Sequence, residues 1–313
     1  MGTVYRAVDR VRGTVVALKH LARVDARALF SFKSEFRNLS NLSHPNLLQL
    51  YELVSRGDDW MLTMELVRGT DFLRYVRPAA EADQGSMPTE ESDSLDEDTD
   101  PGVDAGPRAA QATSVAMAAL AKPRRPPRKL GALDEVRLRS CLRQLAEGLR
   151  ALHAHHYLHR DLKPDNVLVF QETGRLVICD FGLVVEAKTR PTRKLVGETS
   201  GSSHTTGRSS LGEMAGTLAF MAPEQASAEA LTEAADWYAV GVMLYMALTL
   251  KVPIDPQRTF EETARAKQQQ RPRDPRELNP DAPADLSVLG LAFLATDPAA
   301  RAGYEQVTRG DRA

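Results

Sequence analysis

The sequence predicts an α+β chain in two lobes, a small antiparallel β-sheet carrying one helix and then a larger, mainly helical part. Three observations predict it. The first 67 residues hold four short strand-like runs broken by a single stretch of helical spacing. Leu138, Leu142, Leu145, Leu149 and Leu152 then step by four, three, four and three, which places one apolar stripe along a helix. Finally, Trp237 to Leu250 is apolar nearly all round. Such a helix must be covered on every side, so a lobe has to be built around it.

Taken in order, Val4 to Val8 and Thr14 to Lys19 are valine- and threonine-rich runs around Arg12-Gly13, the pattern of a β-hairpin. Leu29, Phe32, Phe36 and Leu39 give Ala28 to Leu42 the spacing of an amphipathic helix. Leu47 to Val54 and Trp60 to Leu66 read as two further strands joined by the polar turn Arg56-Gly57-Asp58-Asp59. Residues 78–130 change character: Glu81 to Asp100 is acidic without one basic residue, and Ala121 to Lys129 is basic and proline-rich. Little of this can be buried, so a disordered insertion is expected, its alanine-rich Ala109 to Leu120 compatible with transient helix.

Order returns at Leu133, with a helix running to His153, His155 and His156. These histidines lack the carboxylate or cysteine company of a zinc site and are expected to be solvated at the helix end. Val167 to Phe170 and Arg175 to Cys179 are strand-like; residues 186–213, polar and without aromatics, predict a long mobile loop. Residues 254–286, with many prolines, predict surface loops and short helices, and Leu286 to Leu294 a last amphipathic helix. No internal repeat is visible.

The 313 residues suffice for a large core. A net charge of −2 offers no global field for nucleic acid or an anionic membrane. The two cysteines, Cys141 and Cys179, sit in apolar runs, which fits reduced thiols of a cytoplasmic protein better than a disulfide framework. No secretory signature opens the chain, and Trp237 to Leu250 falls short of the roughly 20 residues that span a bilayer.

The chemistry concentrates in His159-Arg160-Asp161-Leu162-Lys163-Pro164-Asp165-Asn166, a polar loop between a helix and a strand. This stretch resembles the catalytic loop of protein kinases, and further motifs follow in that family's order. Val16-Ala17-Leu18-Lys19 resembles the strand whose lysine holds the nucleotide phosphates, and Glu35 the helix glutamate that pairs with it, nine residues before the HPN-like His44-Pro45-Asn46. Met64-Glu65-Leu66-Val67-Arg68-Gly69 is similar to the hinge, with Met64 as gatekeeper. Asp180-Phe181-Gly182 follows an apolar strand 14 residues past Asn166. Gly216 to Glu224, reading GTLAFMAPE, resembles the segment on which the peptide substrate docks.

The resemblance implies a two-lobed protein-kinase-like fold, residues 1–67 forming the sheet lobe and 68–313 the helical one, with 180–224 as activation segment. It implies ATP and Mg2+ as cofactors and serine/threonine phosphorylation of protein substrates, lysine at 163 being the serine/threonine-type choice. Asp161 would be the catalytic base and Lys163 would stabilise the transferring phosphate. Asn166 and Asp180 would hold metal; Gly2, Val4, Ala17, Lys19, Glu35, Met64, Glu65, Val67 and Leu168 would surround or support the nucleotide. Thr217 would bond to Asp161 and Lys163, Glu224 would pair with Arg301, and Asp236 would brace the catalytic loop. Leu39, Leu50, His159 and Phe181 would form a stacked spine, making His159 a core residue. Arg160 implies ordering of the 186–213 loop by autophosphorylation, at a site among Thr199, Ser200, Ser202, Thr205, Thr206, Ser209 and Ser210.

Met1-Gly2-Thr3-Val4 resembles only the tail of the glycine-rich phosphate loop, so a start further upstream is expected, and an open sheet edge where the family's first strand would lie. In flavour the chain resembles bacterial Hanks-type kinases. Two other readings fit the same residues less well. One is a kinase-shaped scaffold with the acidic insertion as docking element; the other, a small-molecule kinase, has no use for the Thr217 to Glu224 segment.

Overall fold

The structure is a computed structural model that describes residues 3–21, 30, 33, 36–37, 39–56, 59–79, 117–119, 130–180, 185–186, 217–226, 231–257 and 259–309. β1 (Thr3–Asp9) and β2 (Thr14–Leu21) form the expected hairpin, in the register Val4 to Lys19 and Arg6 to Ala17. Asp9 makes the turn: its Oδ1 accepts from the N–H groups of Val11 and Arg12 at 2.9 and 3.0 Å. Gly13 closes it at φ 66°, a left-handed conformation that glycine adopts without a Cβ clash. β3 (Leu50–Arg56) and β4 (Asp59–Glu65) extend the sheet, each within a few residues of the predicted runs. Alternation sorts the side chains: Ala7, Val16 and Leu18 pack with Tyr5, Tyr51 and Met61 on one face, while Leu50 and Leu62 join the main core on the other. Of the predicted helix over Ala28–Leu42, residues 30, 33, 36, 37 and 39 are described as helical, and Leu39 and Leu42 are buried in that core.

Two expectations need correction at the sheet edge. β6 (Met117–Ala119), inside the stretch expected to be disordered, is a strand that pairs antiparallel with Tyr5–Ala7 of β1, giving the order β3-β4-β2-β1-β6. The edge expected to be open is therefore paired there. An unpaired edge is a row of unmet N–H and C=O groups and takes up any extended segment within reach. The feet of the insertion are also close: Gly131 N–H donates to the Arg77 carbonyl, and Arg77 Nη1 returns a bond to the Gly131 carbonyl.

In the helical part, β5 (Thr70–Asp71) leads into α1 (Phe72–Val76), and α2 (Glu135–Ala154) follows, capped by Asp134, whose side chain accepts from Arg137 N–H at 3.0 Å. All five leucines of the predicted stripe are buried. β7 (Tyr157–Leu158), β8 (Val167–Val169), β9 (Leu176–Ile178) and β10 (Val185–Glu186) are short; β5-β8-β9 form one small sheet and β10-β7 another. Of the predicted 186–213 loop, all but Glu186 lies outside the described residues. α3 (Ala234–Thr249) is buried over 13 of its residues, as its all-round apolar sequence demands. α4 (Phe260–Gln269) packs on the turn at Pro223–Ala226, α5 (Pro275–Leu278) and α6 (Ala284–Phe293) pack on α3, with Trp237 stacked on Phe293 at 5.6 Å, and α7 (Tyr304–Arg309) packs on α2.

Asn46 fastens the two parts together. Its Nδ2 donates to Gln144 Oε1 of α2 and to the Leu176 carbonyl, and its own carbonyl accepts from Ile178 N–H at 2.9 Å. This crossing works because α2 presents Gly148 to it. A Cβ there would stand 2.8 Å from Ile178 Cδ1 and 3.1 Å from the Asn46 carbonyl oxygen. Gly148→Ala is therefore expected to destabilise by about 1–3 kcal/mol in denaturant titration, although alanine in an open helix would gain up to about 1 kcal/mol.

Candidate active site

The loop that carries the predicted chemistry is held from below by α3. Asp236, in the first turn of that helix and 1% exposed, accepts from His159 N–H through Oδ2 at 2.9 Å and from Arg160 N–H through Oδ1 at 2.8 Å. Two successive amides on one carboxylate stabilise Arg160 in its left-handed conformation, φ 65°. Burial pushes Asp236 up, but the hydrogen bond and charge of His153, with His159 and the Arg160 amide, outweigh it and hold the carboxyl below its ordinary value.

His159 is fully buried and bonds at both ring nitrogens. Nε2 lies 3.1 Å from the Cys179 carbonyl, which can only accept, so Nε2 carries the proton and Nδ1 accepts from Asp161 N–H at 3.3 Å. Burial lowers its pKa against the pull of Asp236, so the ring is a neutral spacer between the loop and β9. Leu39 and Leu50, the other expected members of the spine, are likewise buried; Phe181 lies outside the described residues.

Above this support the polar groups converge. Asp161 Oδ2 accepts from Lys163 Nζ at 2.8 Å and from Asn166 Nδ2 at 3.0 Å, and the same Nδ2 donates to the Asp161 carbonyl at 2.8 Å. An amide atom facing two oxygens must be the NH2, so Asn166 keeps its Oδ1 acceptor, unpartnered among the described residues. The Asn166 carbonyl accepts from Cys179 N–H at 2.8 Å, which sets Asp180 beside the loop. Asp180, at φ 61°, then meets Lys19 from β2: Nζ to Oδ1 is 3.2 Å. Burial raises the Asp180 pKa, but Lys19, followed by His159 and Lys163, brings it below the ordinary carboxylate value.

The remaining expected site residues fall around this cluster. Val4 stands opposite Lys19 and Ala17 opposite Met64, so all four lie on one face of the sheet. Leu168 turns away from its buried neighbours Val167 and Val169, and Val67 is half-buried against the core. Glu65 is engaged by its side chain: Arg175 of the helical part grips it at 2.6 and 3.1 Å while donating through Nε to the Pro45 carbonyl. Gly2 and Glu35 lie outside the described residues. Arg301 holds Glu224 through both Nη1 and Nη2, at 2.5 and 3.0 Å.

Two expectations are corrected. Thr217 is exposed and makes no bond to Asp161 or Lys163 among the described residues, because the segment after it is drawn inward toward α4. His153 is not solvated: it is 5% exposed and its Nε2 lies 2.8 Å from Asp236 Oδ2, because the end of α2 packs on the start of α3. His155 and His156 are exposed as expected. Sequence reasoning also missed Arg175 and Lys267. The second left a signal, a lysine at helical spacing from the buried Thr263 and Ala264.

Both cysteines are free, and burial pushes each thiol up to about 12, so neither is a nucleophile near neutral pH. Among the described residues no helix is long and apolar enough to cross a membrane, and no group of three His, Cys, Asp or Glu side chains is placed to hold a metal.

A sheet lysine ion-paired to an aspartate of the helical part, beside a loop aspartate bound by lysine and asparagine, defines the class as a two-lobed kinase-type fold. The sequence matches the protein kinase domain family over residues 1–98 and 117–311. The chain belongs to that family; the match resumes at 117, where β6 begins. It is 27% identical over 249 residues to "Myosin light chain kinase 3" of Rattus norvegicus, covering 79% of this chain and 23% of the relative. It is 24% identical to "Serine/threonine-protein kinase PrkC" of Bacillus subtilis, over 95% of this chain and 36% of that one. To "Serine/threonine-protein kinase PkaA" of Streptomyces coelicolor it is 28% identical, over 80% of this chain and 37% of the relative. The chain thus spans between about a quarter and somewhat over a third of the length of these relatives.

Proposed function

We propose that the chain is the catalytic part of a cytoplasmic ATP- and Mg2+-dependent protein serine/threonine kinase, its lobes dividing near residue 67. The observation that carries this is the convergence of Lys19 and Asp180 beside the Asp161, Lys163 and Asn166 cluster. The donor set fits the cofactors. The Asn166 Oδ1, unpartnered among the described residues, and the Asp180 carboxylate are hard oxygen ligands, and few protein ligands is what Mg2+ accepts when phosphates and water complete its shell. Bound there, Mg2+–ATP supplies the γ-phosphoryl group and a metal that neutralises its charge.

The chain's own residues then do the following. Lys19 pairs with phosphate oxygens, and Asp161 accepts the proton of the acceptor serine or threonine hydroxyl. Lys163, held on Asp161 at 2.8 Å, brings a positive charge to the side where the phosphoryl group arrives. Val4, Ala17, Met64, Val67 and Leu168 supply the apolar walls around the base. Arg160 Nε is buried without a hydrogen-bond partner among the described residues, which supports the reading that a phosphate on the 186–213 loop docks on it.

The test is transfer of radiolabel from ATP to dephosphorylated casein, with mass spectrometry of the 186–213 loop; absence of any transfer by the folded chain in Mg2+ would refute the assignment. Asp180→Asn is expected to weaken Mg2+-dependent ATP binding at least about 10–100-fold while leaving the fold intact, checked by titration calorimetry with and without Mg2+.

A further inference from the structure

One lysine of α4 stands where its helical spacing calls for an apolar residue. Lys267 is 3% exposed. Its three ammonium hydrogens are matched by three carbonyls of one short segment: Leu218 at 2.9 Å, Ala219 at 2.7 Å and Met221 at 2.6 Å. Nζ also lies 5.1 Å from the centroid of the Tyr238 ring, which carries the Arg301 guanidinium at the same distance. Arg301 in turn grips Glu224, three residues past Met221. At the far end of the segment, Ala222 N–H donates to Gln225 Oε1 at 2.7 Å.

Leu218 and Ala219 lie in the short helical stretch 217–220 and Met221 just past its end, so these are helix-end carbonyls, which the helix itself leaves without donors, turned to one point. Their dipoles repel, and buried without a donor each would cost free energy. The ammonium is what permits this conformation, and the conformation decides which groups of 217–222 face outward. We propose that Lys267 is a positioning residue for acceptor binding: its charge gathers the Leu218, Ala219 and Met221 carbonyls and so shapes the surface on which the acceptor polypeptide docks. This rests on the kinase reading above.

A consequence follows for pH. Burial draws Lys267 down to about 7, against the opposing pull of Glu224. The ionisable groups around it are Glu224 from the turn at Pro223–Ala226, Tyr238 of α3 and Arg301. Tyr238 is pushed up by burial and stays neutral. A deprotonated Lys267 has two N–H donors for three carbonyls, so the grip on the segment loosens as pH rises through about 7.

The test compares the full chain with Lys267→Met and Lys267→Arg, using ATP and dephosphorylated casein below and above pH 7. Lys267→Met is expected to raise the KM for casein about tenfold with the KM for ATP unchanged, and Lys267→Arg to recover part of the loss. In the unmodified chain the casein KM should rise as pH passes through about 7, a dependence that Lys267→Met abolishes. Amide exchange over residues 217–222 should quicken in Lys267→Met. An unchanged casein KM, or one that moves together with the KM for ATP, overturns the proposal even if exchange quickens. Should Lys267→Met fail to fold, the pH profile of the unmodified chain decides, and a flat one overturns it. Failure of the unmodified chain to phosphorylate casein at any pH refutes the kinase reading and the docking role with it, whereas quickened exchange in Lys267→Met would still show the clamp.

Discussion

Asp161→Asn is expected to reduce phosphoryl transfer by about 10²–10⁴-fold while leaving ATP affinity within about threefold, measured by single-turnover transfer and by nucleotide titration. The separation follows from the geometry. Asp161 bonds to Lys163 and Asn166 and touches none of the Lys19–Asp180 pair. An asparagine keeps the volume and one acceptor oxygen, so the loop retains its shape, yet it cannot take a proton from a hydroxyl. Its NH2 would also face Lys163 or Asn166, both donors, which favours the orientation that presents oxygen to them. Undiminished transfer by the purified variant would show that another group is the base.

Asp236→Ala is expected to cost about 3–5 kcal/mol of stability, read by chemical denaturation. It leaves three buried donors without an acceptor: the N–H groups of His159 and Arg160, and the Nε2 of His153. It also removes what holds Arg160 at φ 65° and so loosens the loop that carries Asp161. The pH dependence has a definite sign. The folded pKa of Asp236 lies below its unfolded value, so the charged form stabilises the fold fully above about pH 4. That contribution disappears as pH falls through the lower, folded value. The difference between parent and variant should therefore shrink in acid; a difference constant from neutral pH to acid would show that the carboxylate charge is not what matters. Asp236→Asn, keeping one acceptor, should lose less.

Much of this arrangement was legible in the chain itself. Short runs rich in β-branched and apolar residues, bounded by polar turns, mark β1, β2, β3 and β4. The leucine stripe of α2 and the apolar girth of α3 declare how far each helix is buried. The loop from His159 to Asn166 announces chemistry because so many polar side chains stand between two apolar elements. Those signals are local, and local burial is what periodicity records.

What the tertiary structure alone decided is pairing across distance. Nothing near residue 153 tells that its imidazole sits on Asp236, or near residue 65 that Arg175 will close on its carboxylate. A lysine at 267 reads as a solvated helix residue until three carbonyls, 46 to 49 residues away, are seen turned toward it. Met117–Ala119 reads as part of a disordered insertion until the free edge of β1 gives it a ladder. A residue's burial is encoded by its neighbours in sequence, but its partner is set by which surfaces the packed core brings together. The sequence by itself therefore determined most of the elements, the fold class and which groups are candidates for the chemistry; the packing decided what holds those groups in place.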